Sequence, residues 1–315
     1  MTIRSFRPGD EDAQAAIYNA ACANLPGFKP AQPDDVRKRT RARGFDPASR
    51  LIAEDGDKVV GYCTFHVGGR LSFPWCLPGH EGHAEPLFAA ALDGLKARGV
   101  RRAYAAYHRD WAAPAQFFAA HGMPKARDMV NFYQKLTDMP TMVTRPGSPV
   151  SGFEPGDMPA LHAMGADLWH GMTQAELWRH LLENPYFPPE SLFVIRSRAD
   201  RTPLAIAILI ENPTFADPTQ IDTSQPCFRL GAFGAEWGQP KRVNGLFSFV
   251  AAKDRSAFAF ALDLMGHAAA KLDDTSAHGV AAQVPSDVPH LLMFYQSHFR
   301  RQGSFPVYEK SLSAN

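Results

Sequence analysis

The sequence predicts a mixed α/β (α+β) protein built from two tandem domains of one fold, and three observations predict it. The run Phe6-x-Pro8-Gly9-Asp10-x-x-Ala13 returns 147 residues later as Phe153-x-Pro155-Gly156-Asp157-x-x-Ala160, and a helical pattern follows both copies. Apolar runs of strand length alternate with helix-period runs in the same order in each half. The chain has 315 residues, room for about two cores at roughly 150 residues per domain. A repeat this long marks a duplicated domain, because solenoid periods run to about 20–50 residues.

Taken in order, residues 3–7 predict a short strand that stops at Pro8-Gly9. Asp10 is placed to cap a helix carrying Ala13, Ala16, Ile17, Ala20 and Ala21. Residues 24–35, rich in Pro, Asn and Asp, read as loop, and the basic run Val36 to Arg43 reads as a solvated helix face. Two strands, 50–54 and 58–67, are joined by Asp55-Gly56-Asp57, a hairpin signal. An apolar run from Leu71 to Leu77 then breaks at Pro78-Gly79. It passes through a polar loop containing Gly82 and enters a helix whose apolar residues are Leu87, Phe88, Ala91, Leu92 and Leu95. Pro86 suits the first helical turn and Gly99 the stop. A helix N-terminus after such a loop presents free N–H groups to an anion. A strand at 101–107, a helix at 112–121 ended by Gly122 and a strand at 128–136 complete a first domain, residues 1–138.

Residues 139–150 read as a linker, and the second domain, 151–315, repeats the pattern. Its hairpin is 192–197 with 204–210. A strand at 245–252 leads into a helix at 254–271; 279–284 matches the 101–107 strand, and 289–299 the helix after it. A segment near 211–244, rich in Pro, Asp and Gly, is an insertion expected in surface loops.

Composition excludes several classes. Hydrophobic residues make up 45% and charged residues 21%, as in ordinary globular proteins. A formal charge of +1 leaves no footprint for nucleic acid or an anionic membrane. No apolar stretch approaches the ~20 residues of a membrane span, and the N-terminus lacks a signal-peptide core. The four cysteines, Cys22, Cys63, Cys76 and Cys227, are widely spaced, which points to buried free thiols in a reducing, cytoplasmic setting.

The order of elements, with PGHEGHAEPLF at the loop, resembles the GNAT superfamily of acyl-CoA-dependent N-acetyltransferases. That family's loop reads strand, Pro, then Arg/Gln-Gly-x-Gly-x-Gly/Ala and a helix; Pro78 and Gly82 match. A second signature, Phe-Tyr-x-x-x-Gly-Phe, is matched by Phe117-Phe118-Ala119-Ala120-His121-Gly122-Met123. In the second half the run is Phe294-Tyr295-Gln296-Ser297-His298-Phe299-Arg300. The resemblance covers nearly the whole chain as two copies, a layout similar to tandem acetyltransferases of the mycothiol-synthase type. It implies acetyl-CoA as co-substrate and an amine of a small molecule or protein as acceptor, attacked directly. It also implies loop amides that hold pyrophosphate, a strand N–H that polarises the thioester carbonyl and a tyrosine that protonates the leaving thiolate. Carried onto this chain, the cofactor-binding positions are Cys76, Leu77, Gly82, His83, Ala84 and Glu85 in the first half and Val250, Arg255 and Ser256 in the second. The acid is Tyr295.

The departures from the family pattern are specific. Glu81 stands where Arg or Gln is expected, and a carboxylate ~4 Å from a phosphate charge repels it by about 4 kcal/mol at an effective ε near 20. Ala84 and Pro86 replace glycines, and Pro86 removes an amide donor. Phe118 stands at the tyrosine position and cannot donate a proton. The second loop, 251–257, has no glycine, although Lys253 and Arg255 can contact phosphates and Asp254 or Ser256 can cap the helix. These departures keep a second reading open, a GNAT-fold binding or interaction protein without transferase activity.

His80-Glu81-Gly82-His83 is not the H-E-x-x-H spacing and its loop supplies no third ligand, so no metal is expected. His162, His170 and His180, in a Trp-containing stretch, suit packing or a lid over the acceptor. No Ser-His-Asp or Cys-His order and no P-loop is present.

Overall fold

The structure is a computed structural model. It describes all residues except 1, 27, 29, 42–44, 140–148, 170, 184–188, 211–243, 253–255, 274, 276–278 and 313–315. Among the described residues no helix is long and apolar enough to cross a membrane.

In the first compact unit, strand β1 (Thr2–Ser5) leads to helix α1 (Asp10–Cys22) and helix α2 (Pro33–Thr40). The hairpin β2 (Arg50–Asp55) and β3 (Lys58–Thr64) forms where Asp55-Gly56-Asp57 predicts it. Then come β4 (Trp75–Cys76), α3 (Ala84–Ala97), β5 (Arg102–Ala106) and α4 (Ala112–Ala120). Strands β1 to β4 make one antiparallel sheet in chain order. Helix α3 buries all five apolar residues that its periodicity picks out, each large one contributing about 1.5–3 kcal/mol. Gly99, with φ 70°, ends it in the left-handed conformation.

In its first copy the Pro-Gly-Asp motif has a job other than the expected cap, while in the second Asp157 closes a capping box with Glu154 on a single helical turn and holds an arginine as well. Asp10 is the first residue of α1 and makes no helix-capping bond; its Oδ2 accepts the Arg7 N–H at 2.6 Å and pairs with Arg4 at 2.7 Å. Gly9, at φ 105°, makes the turn that brings the carboxylate back. Asp157 repeats the arrangement, accepting from the Glu154 N–H at 2.7 Å and from both Arg196 terminal nitrogens at 2.6 and 2.7 Å. The basic α2 is held at the surface, where Arg37 pairs with Asp12 and Asp34.

The second unit contains β6 (Lys125–Lys135, from Met129 onward), β7 (Val150–Gly152), α5 (Met158–Met164), α6 (Ala166–Trp169), α7 (Gln174–Leu182), β8 (Leu192–Arg196) and β9 (Pro203–Ile208). It continues with β10 (Asn244–Leu246), β11 (Ser248–Ala251), α8 (Ala257–Asp273), β12 (Gly279–Pro285) and α9 (Pro289–His298). Strands β7, β8, β9 and β11 form an antiparallel sheet, and β12 lies between β10, which it pairs in parallel, and β6. The insertion at 211–244 falls almost entirely outside the described residues, as does most of the linker.

The units are not consecutive stretches. The sequence places a boundary at 138/151; the first compact unit ends at Asp128 and is completed by the chain from Phe305, and residues from Met129 belong to the second. The final strand β13 (Arg300–Ser311) pairs with β5 through Val307–Ser311. Strand β6 pairs with β12 through Met129–Lys135. The side chains follow: Tyr308 and Leu312 join the core of the first unit, while Val130 and Phe132 join that of the second. Each half has given its last strand to the other, which alternation of apolar residues alone allows in either sheet.

Candidate active site

The duplicated clefts arise where one strand changes partner. In the second unit the strand expected at 245–252 is two strands. Residues up to Leu246 pair with β12, the Phe247 N–H donates to Ala281 O at 3.0 Å, and from Ser248 the chain pairs with β9. Beyond Phe247, β11 and β12 therefore part. The Ala252 N–H donates to Leu204 O on β9. Strand alternation then directs the Phe249 and Ala251 N–H groups the other way, to the side that β12 has left.

Tyr295, on α9, sits at the apex of this opening. Its hydroxyl donates to Phe247 O at 3.1 Å, and its ring packs among Phe132, Phe247, Phe249, Phe294 and Phe299. The side chain is fully buried, and burial, partly offset by a hydrogen bond with Ser248, raises its pKa well above the usual 10. Val250 is buried in β11, and Ser256 is exposed just before α8, its carbonyl accepting the Phe260 N–H. Arg255, with Lys253 and Asp254, lies outside the described residues.

The first unit has the same geometry and a different filling. Leu71 N–H donates to Tyr104 O at 2.9 Å, Ser72 N–H donates to Thr64 O at 2.7 Å, and the strand then follows β3. The inward amide is that of Phe73, and it is occupied: it donates to the Tyr107 hydroxyl at 2.5 Å. Trp75 packs against Phe73, Tyr107 and Trp111, and Tyr107 stacks on Trp111 and Phe118. Trp75, Tyr107, Trp111 and Phe118 are all buried.

Matching hydrogen bonds set the register between the halves. Leu71 corresponds to Phe247, an offset of 176. The Leu77 N–H to Val60 O and Ala252 N–H to Leu204 O bonds then correspond, an offset of 175 that carries Trp75 to Val250. Tyr104 corresponds to Ala281, an offset of 177, which carries Tyr107 to Val284, Trp111 to Val288 and Phe118 to Tyr295. Thus three aromatic rings that close the first cleft are each Val in the second, where the fourth position, Phe118 in the first, carries a hydroxyl as Tyr295. Tyr107 and Trp75 carry no signal of their own; only laying one half on the other exposes them.

The first-unit loop is also self-satisfied. Glu81 Oε1 accepts the Gly79 N–H at 3.0 Å, and these backbone bonds hold its carboxyl below the usual range. The His80 N–H goes to Leu77 O, that of His83 to His80 O and that of Ala84 to Glu81 O. Gly82 is exposed, Glu85 reaches toward His121 at 3.5 Å, and Leu77 is half-buried. Cys76 is a buried thiol pushed up to about 12, chiefly by burial. The loop that the sequence makes the better cofactor cradle thus carries its own anion on its amides. Of the histidines, His162 Nε2 bonds Met172 O at 2.7 Å, a packing role; His170 lies outside the described residues.

No protein-family model matches the chain. It is 29% identical over 207 residues to a mycothiol acetyltransferase from Thermobispora bispora, covering 62% of this chain and 68% of the relative. A mycothiol acetyltransferase from Acidimicrobium ferrooxidans is 39% identical over 66 residues, 21% of each chain. Among solved structures, a GCN5-related N-acetyltransferase from Sphaerobacter thermophilus superimposes with a TM-score of 0.61 at 14% identity, over 98% of this chain and 95% of that one. A tandem GNAT protein from the clavulanic acid biosynthesis pathway gives 0.54 at 13% identity, over 98% of both.

Proposed function

We propose, for a chain that carries the GNAT N-acetyltransferase fold twice in tandem, that it moves an acetyl group from acetyl-CoA to an amine in its second unit, the first unit serving as scaffold. The observation that carries this reading is the replacement of Trp75, Tyr107, Trp111 and Phe118 by Val250, Val284, Val288 and Tyr295 at matching positions of the two clefts.

The residues suit the steps. The acyl arm enters between β11 and β12, where the Phe249 and Ala251 N–H groups face the thioester carbonyl and oppose the charge that gathers on its oxygen. The acceptor nitrogen attacks the carbonyl carbon; the C–N bond forms, the C–S bond breaks and the sulfur leaves as thiolate. Tyr295, kept protonated by burial, turns its O–H from Phe247 O to that sulfur. The burial that keeps the proton on also weakens the acid, so transfer relies on a thiolate made more basic by the same apolar surroundings. The amine proton leaves to water, and water returns a proton to the Tyr295 phenolate. Val250 and Ser256, with Arg255 at the helix entry, are the candidates for the cofactor's polar end. The names of the curated relatives make the mycothiol route the first place to seek the acceptor; a protein amine is the alternative.

Tyr295→Phe tests the assignment. It keeps the ring packing, so acetyl-CoA affinity should hold while kcat falls roughly hundredfold, the lower end of general-acid contributions. An unchanged kcat removes Tyr295 from the chemistry. The second reading, a binding protein without transferase activity, is favoured by the closed first cleft and by Glu81 on its own loop amides. It stands if neither unit takes acetyl-CoA.

A further inference from the structure

Acyl transfer leaves one motif unused, the His80-Glu81-Gly82-His83 loop. Its two imidazoles lack a third ligand in sequence, and the fold supplies one. Asp55, the last residue of β2 before the hairpin turn, lies against the loop, and one ligand atom each of Asp55, His80 and His83 lies within 4.8 Å of the other two. We propose that Asp55, His80 and His83 form a site for a divalent transition ion of the zinc class, with a fourth position open to water or an anion.

The distances allow it. For three atoms no more than 4.8 Å apart, a point exists within about 2.8 Å of all three (4.8 Å divided by √3), against about 2.0–2.2 Å for zinc bonds to nitrogen and carboxylate oxygen. Side-chain rotation closes the remainder, because Asp55 is exposed at a strand end and both imidazoles are only half-buried. The donors are not spent elsewhere. His83 Nδ1 is a buried atom with no hydrogen-bond partner, an arrangement that costs stability unless something fills it. His80 Nδ1 stands 3.7 Å from Asp55 Oδ2, beyond hydrogen-bond length. The two rings lie nearly parallel, 18° apart with centroids 5.8 Å apart. Glu81, the remaining carboxylate of the motif, is turned onto the Gly79 N–H and stays outside the set. Two imidazoles and one carboxylate suit a borderline ion rather than Mg²⁺ or Ca²⁺, which favour all-oxygen shells. Bound there, the ion would tie the hairpin turn to the entry of α3.

The test uses the untagged full-length chain, stripped with chelator and dialysed. Zn²⁺ is titrated by calorimetry and against a chromophoric chelator, with thermal melts alongside. One equivalent should bind and raise the melting temperature of the first unit, and a large excess of Mg²⁺ should not displace it. His80→Ala, His83→Gln and Asp55→Asn each remove a direct ligand and should each weaken zinc at least tenfold, since loss of a group that only supports a ligand already costs roughly 10–100-fold. Asp55→Asn, at an exposed strand end, should melt like the parent without zinc, which separates loss of the site from loss of the fold. Absence of stoichiometric zinc binding, or undiminished affinity in both His83→Gln and Asp55→Asn, overturns the proposal.

Discussion

Replacing Tyr107 by Phe isolates what closes the first cleft. The hydroxyl is the acceptor for the Phe73 N–H, and Tyr107 is 6% exposed, so the substitution strands a backbone donor that water reaches poorly. An unsatisfied buried donor costs about 1–3 kcal/mol. The ring stays, so its stacks on Trp111 and Phe118 survive and no cavity opens to add to that figure. The first unit should therefore lose about 1–3 kcal/mol, a drop in melting temperature of roughly 3 °C or more per kcal/mol. Urea melts followed by tryptophan fluorescence report on Trp75 and Trp111, which flank the substitution, together with the tryptophans of the second unit, Trp169 and Trp178 among them, so a second probe checks whether the two units unfold together. Acetyl transfer should not change. A loss below about 0.5 kcal/mol would mean that the Phe73 amide finds another partner. A fall in kcat/KM with the fold intact would refute the division of labour between the units.

Other predictions rest on separate contacts. Asp157→Ala removes one partner of a pair whose side chains are 8% and 5% exposed and leaves Arg196 buried without its main partner, so the second unit should lose about 3–5 kcal/mol in denaturant melts. Asp10 is a case for pH: burial opposes its charge, but the hydrogen bonds from Arg4 and the Arg7 N–H prevail and lower its carboxyl. A depressed folded value means stability is fully present above the ordinary aspartate range near 3.9 and is lost as pH falls through the lowered value. Asp10→Asn should lower the melting temperature at neutral pH and flatten its fall below about pH 4. Glu81→Gln, at an exposed loop, should leave acetyl-CoA affinity unchanged in a calorimetric titration; a rise would show that this loop faces the cofactor after all.

What the sequence made legible was periodic and local. The stripe Leu87, Phe88, Ala91, Leu92 and Leu95 had to be buried, and Asp55-Gly56-Asp57 had to turn. The duplicated Pro-Gly-Asp marked both units, although the Asp10 carboxylate serves a loop amide and an arginine instead of a helix cap, and Asp157 adds an arginine to its capping box. Partner choice was illegible. Nothing in residues 245–252 says that pairing changes at Phe247, because a strand looks alike whichever neighbour it follows. For the same reason the exchange of Val130 and Phe132 for Tyr308 and Leu312 between cores left no trace in local pattern. The site suffered from a related gap. Motif comparison weighed glycines and a tyrosine, but the difference between the clefts lies in Trp75, Tyr107 and Trp111, which belong to no motif. Asp55 was invisible as a ligand because the hairpin carries it to His80 and His83 only in three dimensions.

The central claim, that the second cleft takes the acyl donor, is tested most directly by titrating acetyl-CoA into the parent chain and into Val284→Tyr. The variant places in the second cleft the ring that closes the first, and circular dichroism and melting verify that it folds. The account predicts one equivalent bound to the parent and none to the variant. Two equivalents on the parent, or full binding to a folded Val284→Tyr, would contradict it.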